Sequence, residues 1–131
     1  MGTWDVGSFA NDDALDWLIE LQDEDDFSLL EDAFVTVIEQ KGEMTDASDS
    51  AVAIAAAEVL AALLSNPPED LPPEVIDWVN GKAAPKDGLG KLAREALVLV
   101  LGGSELKTLW EETDEYLDWV KDVDALVERL S

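Results

Sequence analysis

The stretch from Ser50 to Leu64, SAVAIAAAEVLAALL, constrains the chain most. After Ser50 it carries one charge, Glu58, and is otherwise apolar on every side of a helix. A helix without a polar face must be covered all round, so the rest of the chain has to surround it. Its many alanines let those neighbours come close. Glu58 is an isolated carboxylate on this apolar helix and must find a partner or reach water. It is therefore a candidate cleft residue, against the plainer reading that it pairs with a base or an indole N–H.

The remaining segments supply the neighbours. Ala14, Trp17, Leu18 and Leu21 share one face, which predicts a helix over Asp12–Gln22. Asn11 is suited to its N-cap, and Asp12 and Asp13 to its positive end. Leu30, Ala33, Phe34, Val37 and Ile38 predict a second helix over Leu29–Gln40, with Ser28 and Glu31 at capping-box spacing and Gly42 as its stop. The proline-rich run from Asn66 to Pro73 is a stiff connector. It leads into a short helix over Pro73–Val79, with Ile76 and Val79 on one face and Asn80-Gly81 as its end.

Leu89, Leu92, Ala93, Ala96, Leu97, Val100 and Leu101 predict a helix over Leu89–Leu101, ended by Gly102-Gly103. Ser104 reads as the cap of the next, over Glu105–Glu112. Tyr116, Trp119, Val123, Leu126 and Leu130 predict a last helix from near Thr113 or Asp114, either separate from its predecessor or joined to it through a bend. Residues 1–10 read as an irregular lead-in that docks Trp4 and Phe9. No segment alternates like a strand. The expected fold is all-α: a compact bundle of six to seven helices, open to a stacked-hairpin arrangement, in one acidic domain spanning 1–131.

Charge is unevenly spread. The net charge is −23, from 31 acidic and 8 basic residues. Residues 1–81 hold 20 acids against one base, Lys41, a net −19; residues 82–131 hold 11 against 7, a net −4. Such a field repels nucleic acid and anionic membrane and speeds the approach of basic partners. The plain alternative is a solvated, aggregation-resistant surface.

Composition narrows the chemistry. There is no Cys and no His, which removes thiol and Ser-His nucleophiles, the common zinc sites and the usual near-neutral base. An enzyme here would have to work with carboxylates, Lys, Tyr or hydroxyls. No apolar run is long enough to span a membrane, and no basic-then-apolar leader opens the chain. Met1-Gly2 lacks the Ser or Thr that myristoylation wants at position six, where Val6 stands. A cytoplasmic location is expected.

The opening MGTWDVGSFANDDALDW places Met1, Gly2, Trp4, Gly7, Phe9, Asn11, Asp12, Ala14, Asp16 and Trp17 in a recognisable string. It resembles the start of a bacterial family known as domain of unknown function 4259. Ala55–Leu64 is similar to that family's middle and Ser104–Glu112 to its late segment. The resemblance implies a small, soluble bacterial domain and no functional residue.

Several constellations invite chemistry. Asp12, Asp13 and Asp16 spell D-D-x-x-D, a magnesium-diphosphate pattern in prenyl-diphosphate enzymes, yet those need a second acidic cluster and basic phosphate ligands; helix capping and dipole complementarity are the favoured reading of the three. Asp23, Glu24, Asp25 and Asp26 offer oxygen ligands without calcium-loop spacing and read as a solvated loop. Of the five Trp, most read as core, with Trp4 and Trp78, beside irregular segments, nearest a surface or cleft.

The leading expectation is a non-enzymatic module that meets a basic protein through these acidic residues, in the manner of an immunity protein, an antitoxin or a DNA mimic, with no cofactor and no metal. Rival readings are a carboxylate enzyme or divalent-metal protein built on Asp12, Asp13, Asp16 or Glu58, and a homodimer that covers surplus apolar surface at Val98 and Leu99. Monomer and homodimer both stay open.

Overall fold

The computed structural model describes residues 12–24, 27–40, 44–64, 73–80 and 88–130. Among them are seven helices: α1 (Asp12–Gln22), α2 (Ser28–Glu39), α3 (Ala47–Leu63), α4 (Pro73–Val79), α5 (Leu89–Gly103), α6 (Glu105–Glu111) and α7 (Tyr116–Arg129). The described residues form no sheet; one isolated parallel bridge joins Thr45 to Ser104. The all-α bundle is as expected. Trp4, Phe9, Asn11, Asp25, Asp26, Gly42 and residues 66–72 of the proline-rich connector lie outside the described residues.

α3 is the hub. It packs against α1, α2, α4, α5, α6 and α7, and an unbroken run from Ala53 to Ala61 is buried. The apolar circumference of this helix thus finds cover on all sides, and alanine at the crowded positions lets six neighbours share one axis. The buried faces of its neighbours are those marked by the sequence period: Ala14, Trp17, Leu18 and Leu21 on α1, Leu30, Ala33, Phe34 and Val37 on α2, and Trp119, Val123 and Leu126 on α7. Phe34, Leu60 and Leu97 are wholly buried, each worth about 1.5–3 kcal/mol relative to exposure.

Helix ends depart from expectation in ways the capping chemistry explains. α3 begins at Ala47, ahead of the expected Ser50, because Asp46 caps it. The Asp46 carboxylate accepts from the backbone N–H of Ser48 at 2.8 Å and of Asp49 at 3.1 Å. Ser28 is no cap: it lies inside α2, whose N-cap is Phe27 and has no side-chain hydrogen bond. Gly102-Gly103 does not end α5. The helix runs through both glycines to Ser104, which accepts from Lys107 N–H at 3.0 Å and donates its hydroxyl to the Val100 carbonyl at 2.8 Å. One buried serine thereby closes α5 and opens α6.

α6 and α7 are separate helices. Between them the Thr113 hydroxyl donates to the Trp110 carbonyl at 2.8 Å and accepts from Glu115 N–H at 3.2 Å. On α4 the buried face is Val75 and Trp78, not Ile76. The loop before α3 is pinned across the bundle, where Glu105 N–H donates to the Thr45 carbonyl at 2.7 Å.

Candidate functional site

Of the acidic residues singled out in the sequence, the described ones on and just after α1 face water. Asp12, Asp13 and Asp16 are exposed on α1, and Asp23 and Glu24 are exposed just beyond it. Asp12 and Asp13 occupy the first turn, where the helix dipole favours negative charge. Asp13 also accepts from the Ser48 hydroxyl at 3.2 Å, tying α1 to the start of α3. Glu31, Asp32 and Glu39 extend the same exposed character along α2. Among the described residues, no three acidic side chains are grouped so as to hold a metal ion.

Glu58 has a different fate. It is buried on α3, and its carboxylate is gripped by the Arg129 guanidinium from the end of α7, with Nη2 to Oε1 at 2.7 Å and Nη1 to Oε2 at 3.0 Å. The planar fork matches the carboxylate and supplies the charge that burial demands. The hydrogen bonds that Arg129 donates to Glu58 hold its guanidinium above the ordinary range; burial acts against this, and the charges of Glu58 and Asp122 add to it. Glu58 joins two helices. Arg94 is likewise used inside the fold: its Nη1 donates to the Leu130 carbonyl at 2.8 Å, capping α7 with a cation.

Trp78 is buried, contrary to the expectation that it reaches the surface. Its indole N–H donates to the Glu24 carbonyl at 2.9 Å and its ring meets Phe27 edge-on, with centroids 6.1 Å apart. The apolar rings of the two loop-flanking residues find each other, and the one polar atom of the indole is satisfied by backbone. Trp110 and Trp119 are also core residues, stacked with centroids 6.4 Å apart.

A cavity of about 150 Å³ opens where α1, α2 and α3 meet. Trp17 of α1 forms one wall; Leu29, Asp32, Ala33 and Thr36 of α2 and Asp49 and Val52 of α3 complete it. Its polar groups are arranged by short-range bonds. The Thr36 hydroxyl donates to the Asp32 carbonyl at 2.7 Å, so its remaining capacity is to accept. Gln40 donates to Asp49 Oδ2 at 2.8 Å and to the Thr36 carbonyl at 3.1 Å, while its own oxygen accepts from Asp46 N–H at 2.9 Å. This one amide fixes the end of α2 against the start of α3 and with it the Asp49 carboxylate.

Trp17 is 5% exposed, and its indole N–H has no acceptor among the described residues. A buried donor without a partner costs roughly 1–3 kcal/mol. Sequence reasoning assigned Trp17 and Ala33 to the core and passed over Asp32, Thr36 and Asp49. The available signal was weak: Asp32 and Thr36 are one helical turn apart, beside the apolar stripe of α2.

The family described as Domain of unknown function (DUF4259) matches residues 2–122. The chain belongs to this family. The DUF4259 match takes in α1 through α6, the acidic residues and the whole cavity, whereas Arg129 lies beyond it. No curated protein and no solved structure matches the chain. Among the described residues no helix is long and apolar enough to cross a membrane.

Proposed function

We propose that this DUF4259 protein is a non-enzymatic binding module that engages a basic protein through the carboxylates of α1 and α2, as an immunity protein, an antitoxin or a DNA mimic would. The observation that carries the reading is the exposure of Asp12, Asp13, Asp16, Asp23 and Glu24 together with Glu31, Asp32 and Glu39, in a half of the chain whose only base is Lys41. Both arginines of the chain are engaged within the fold at the end of α7, so they do not dilute this face. A field of one sign on a compact body raises encounter rates with an oppositely charged protein and repels nucleic acid and anionic membrane. A cytoplasmic location goes with this reading.

The test is retention of basic host proteins on the immobilised chain at low and at physiological salt. A specific partner survives the higher salt, and neutralising Asp12, Asp13 and Asp16 to asparagine releases it. If nothing basic is held above background at either salt, the proposal falls. A homodimer is the second reading, favoured by Val98, which is 59% exposed on α5. Sedimentation velocity at several concentrations decides it, and a monomer throughout removes it.

A further inference from the structure

The cavity between α1, α2 and α3 has a size and a lining that ask for one kind of occupant. Small-molecule sites occupy roughly 300–1,000 Å³, whereas an apolar hole of about 150 Å³ takes a single benzene. At about 150 Å³, this one admits a side chain. Its walls are the Trp17 indole and the aliphatic Leu29, Ala33 and Val52, suited to a long hydrocarbon stem. The polar residues that line it are Asp32, Thr36 and Asp49. All three accept: the carboxylates have no proton to give, and the Thr36 proton is already directed at the Asp32 carbonyl. A lining of acceptors beside an aromatic ring fits a group that only donates.

We propose that this cavity seats one arginine side chain of a basic protein partner. This rests on the reading of the acidic face as a basic-protein surface, and it adds where on that face the partner anchors. Arginine fits better than lysine for two reasons. Its planar guanidinium presents several N–H groups at once and so can serve carboxylates on two different helices. It is also more weakly hydrated than an ammonium and stacks on aromatic rings. Asp49, held in place by Gln40, is the fixed half of the clamp, and exposed Asp32 is the half that closes.

The experiment uses the full chain and heteronuclear NMR, with acetyl-arginine-N-methylamide as the probe and the citrulline and lysine counterparts beside it. The arginine compound should move the Trp17 indole resonance saturably, with a dissociation constant roughly in the millimolar range expected of so small a ligand. Citrulline, of the same shape without the charge, should not. Asp32→Asn and Asp49→Asn should each weaken binding about tenfold, the loss of a charge-assisted hydrogen bond. Asp16→Asn, which removes the same charge outside the cavity, should change it less than about twofold. Asp32 is exposed, so its variant folds even if that of Asp49 does not. Shifts confined to surface amides, falling equally in the Asp16 and Asp32 variants, overturn the arginine seat and leave the basic-partner reading standing. Equal response to citrulline, or preference for the lysine compound, also overturns it. Failure of the basic-protein retention experiment, with the Trp17 shift intact, instead removes the wider reading and keeps the seat.

Discussion

Replacing Arg129 with methionine tests the claim that α7 is latched to the central helix through Glu58. The substitution removes two hydrogen bonds, at 2.7 and 3.0 Å, from a carboxylate whose side chain is 3% exposed. Hydrogen bonds to charged groups contribute about 1.5–3 kcal/mol each, and breaking a buried pair from one side costs about 3–5 kcal/mol. The Arg129 side chain is 24% exposed, so water reaches part of the pair and the low end, about 3 kcal/mol, is expected. At roughly 1–3 kcal/mol per molar urea, the unfolding midpoint should fall by about 1–3 M with an unchanged slope.

Glu58→Gln should cost less, about 1–2 kcal/mol, because it keeps an acceptor and removes the buried charge. The double variant Glu58→Leu with Arg129→Met should return to within about 1 kcal/mol of the parent, since an apolar pair of similar volume replaces the ions. A raised guanidinium pKa means that the contribution of Arg129 is complete below its unfolded-state value and lost only as pH climbs through the folded one. The coupling between the two residues in a double-mutant cycle should therefore be the same at about pH 7 and about pH 10. A double variant no more stable than Arg129→Met, or a coupling that vanishes by pH 10, would refute this account of the latch.

Other consequences are quicker to check. Asp46→Ala removes the cap of α3 and should cost about 1 kcal/mol in urea unfolding, with Asp46→Asn close to the parent. Gly102→Ala and Gly103→Ala, placed in a helix with open space around each added Cβ, should each stabilise by about 0.5–1 kcal/mol in the same assay. Gly88→Ala should do the reverse by about 1–2 kcal/mol, because Gly88 holds φ at 102° although nothing lies within 4 Å of its added Cβ. The thermal midpoint should rise as sodium chloride goes from about 0.01 to about 0.5 M, since screening relieves the repulsion of a net charge of −23; a fall would show that attractive pairs dominate.

Periodicity made the bundle legible, because one apolar stripe per helix is a local property of the sequence. Ala53 through Ala61 declared the central position of α3 for the same reason. What stayed hidden depends on partners distant in the chain. Nothing near Glu58 announces Arg129, since the two are brought together only by packing α7 on α3. Trp78 looked exposed because its cover, Phe27 and the Glu24 carbonyl, lies on a distant loop. Gly102-Gly103 reads as a stop by propensity, yet the buried Ser104 that follows supplies both the ending of α5 and the start of α6, and tertiary burial outweighs about 1 kcal/mol per glycine. The cavity was the least legible feature. Its walls come from Trp17, the α2 residues between Leu29 and Thr36, and Asp49 and Val52, and no single helix shows it.

The pairing of Glu58 with a residue 71 positions later has a consequence for synthesis. A ribosome adding about 5–20 residues per second needs some 4–14 seconds to reach the arginine after the glutamate is made. Throughout that interval α3 can gather its earlier neighbours, but its carboxylate lacks the guanidinium that lets it settle in an apolar interior. The nascent protein is thus held short of final compaction until the last turn of α7 emerges, so synthesis of α7, rather than collapse of the segments before it, sets the moment at which α3 is sealed.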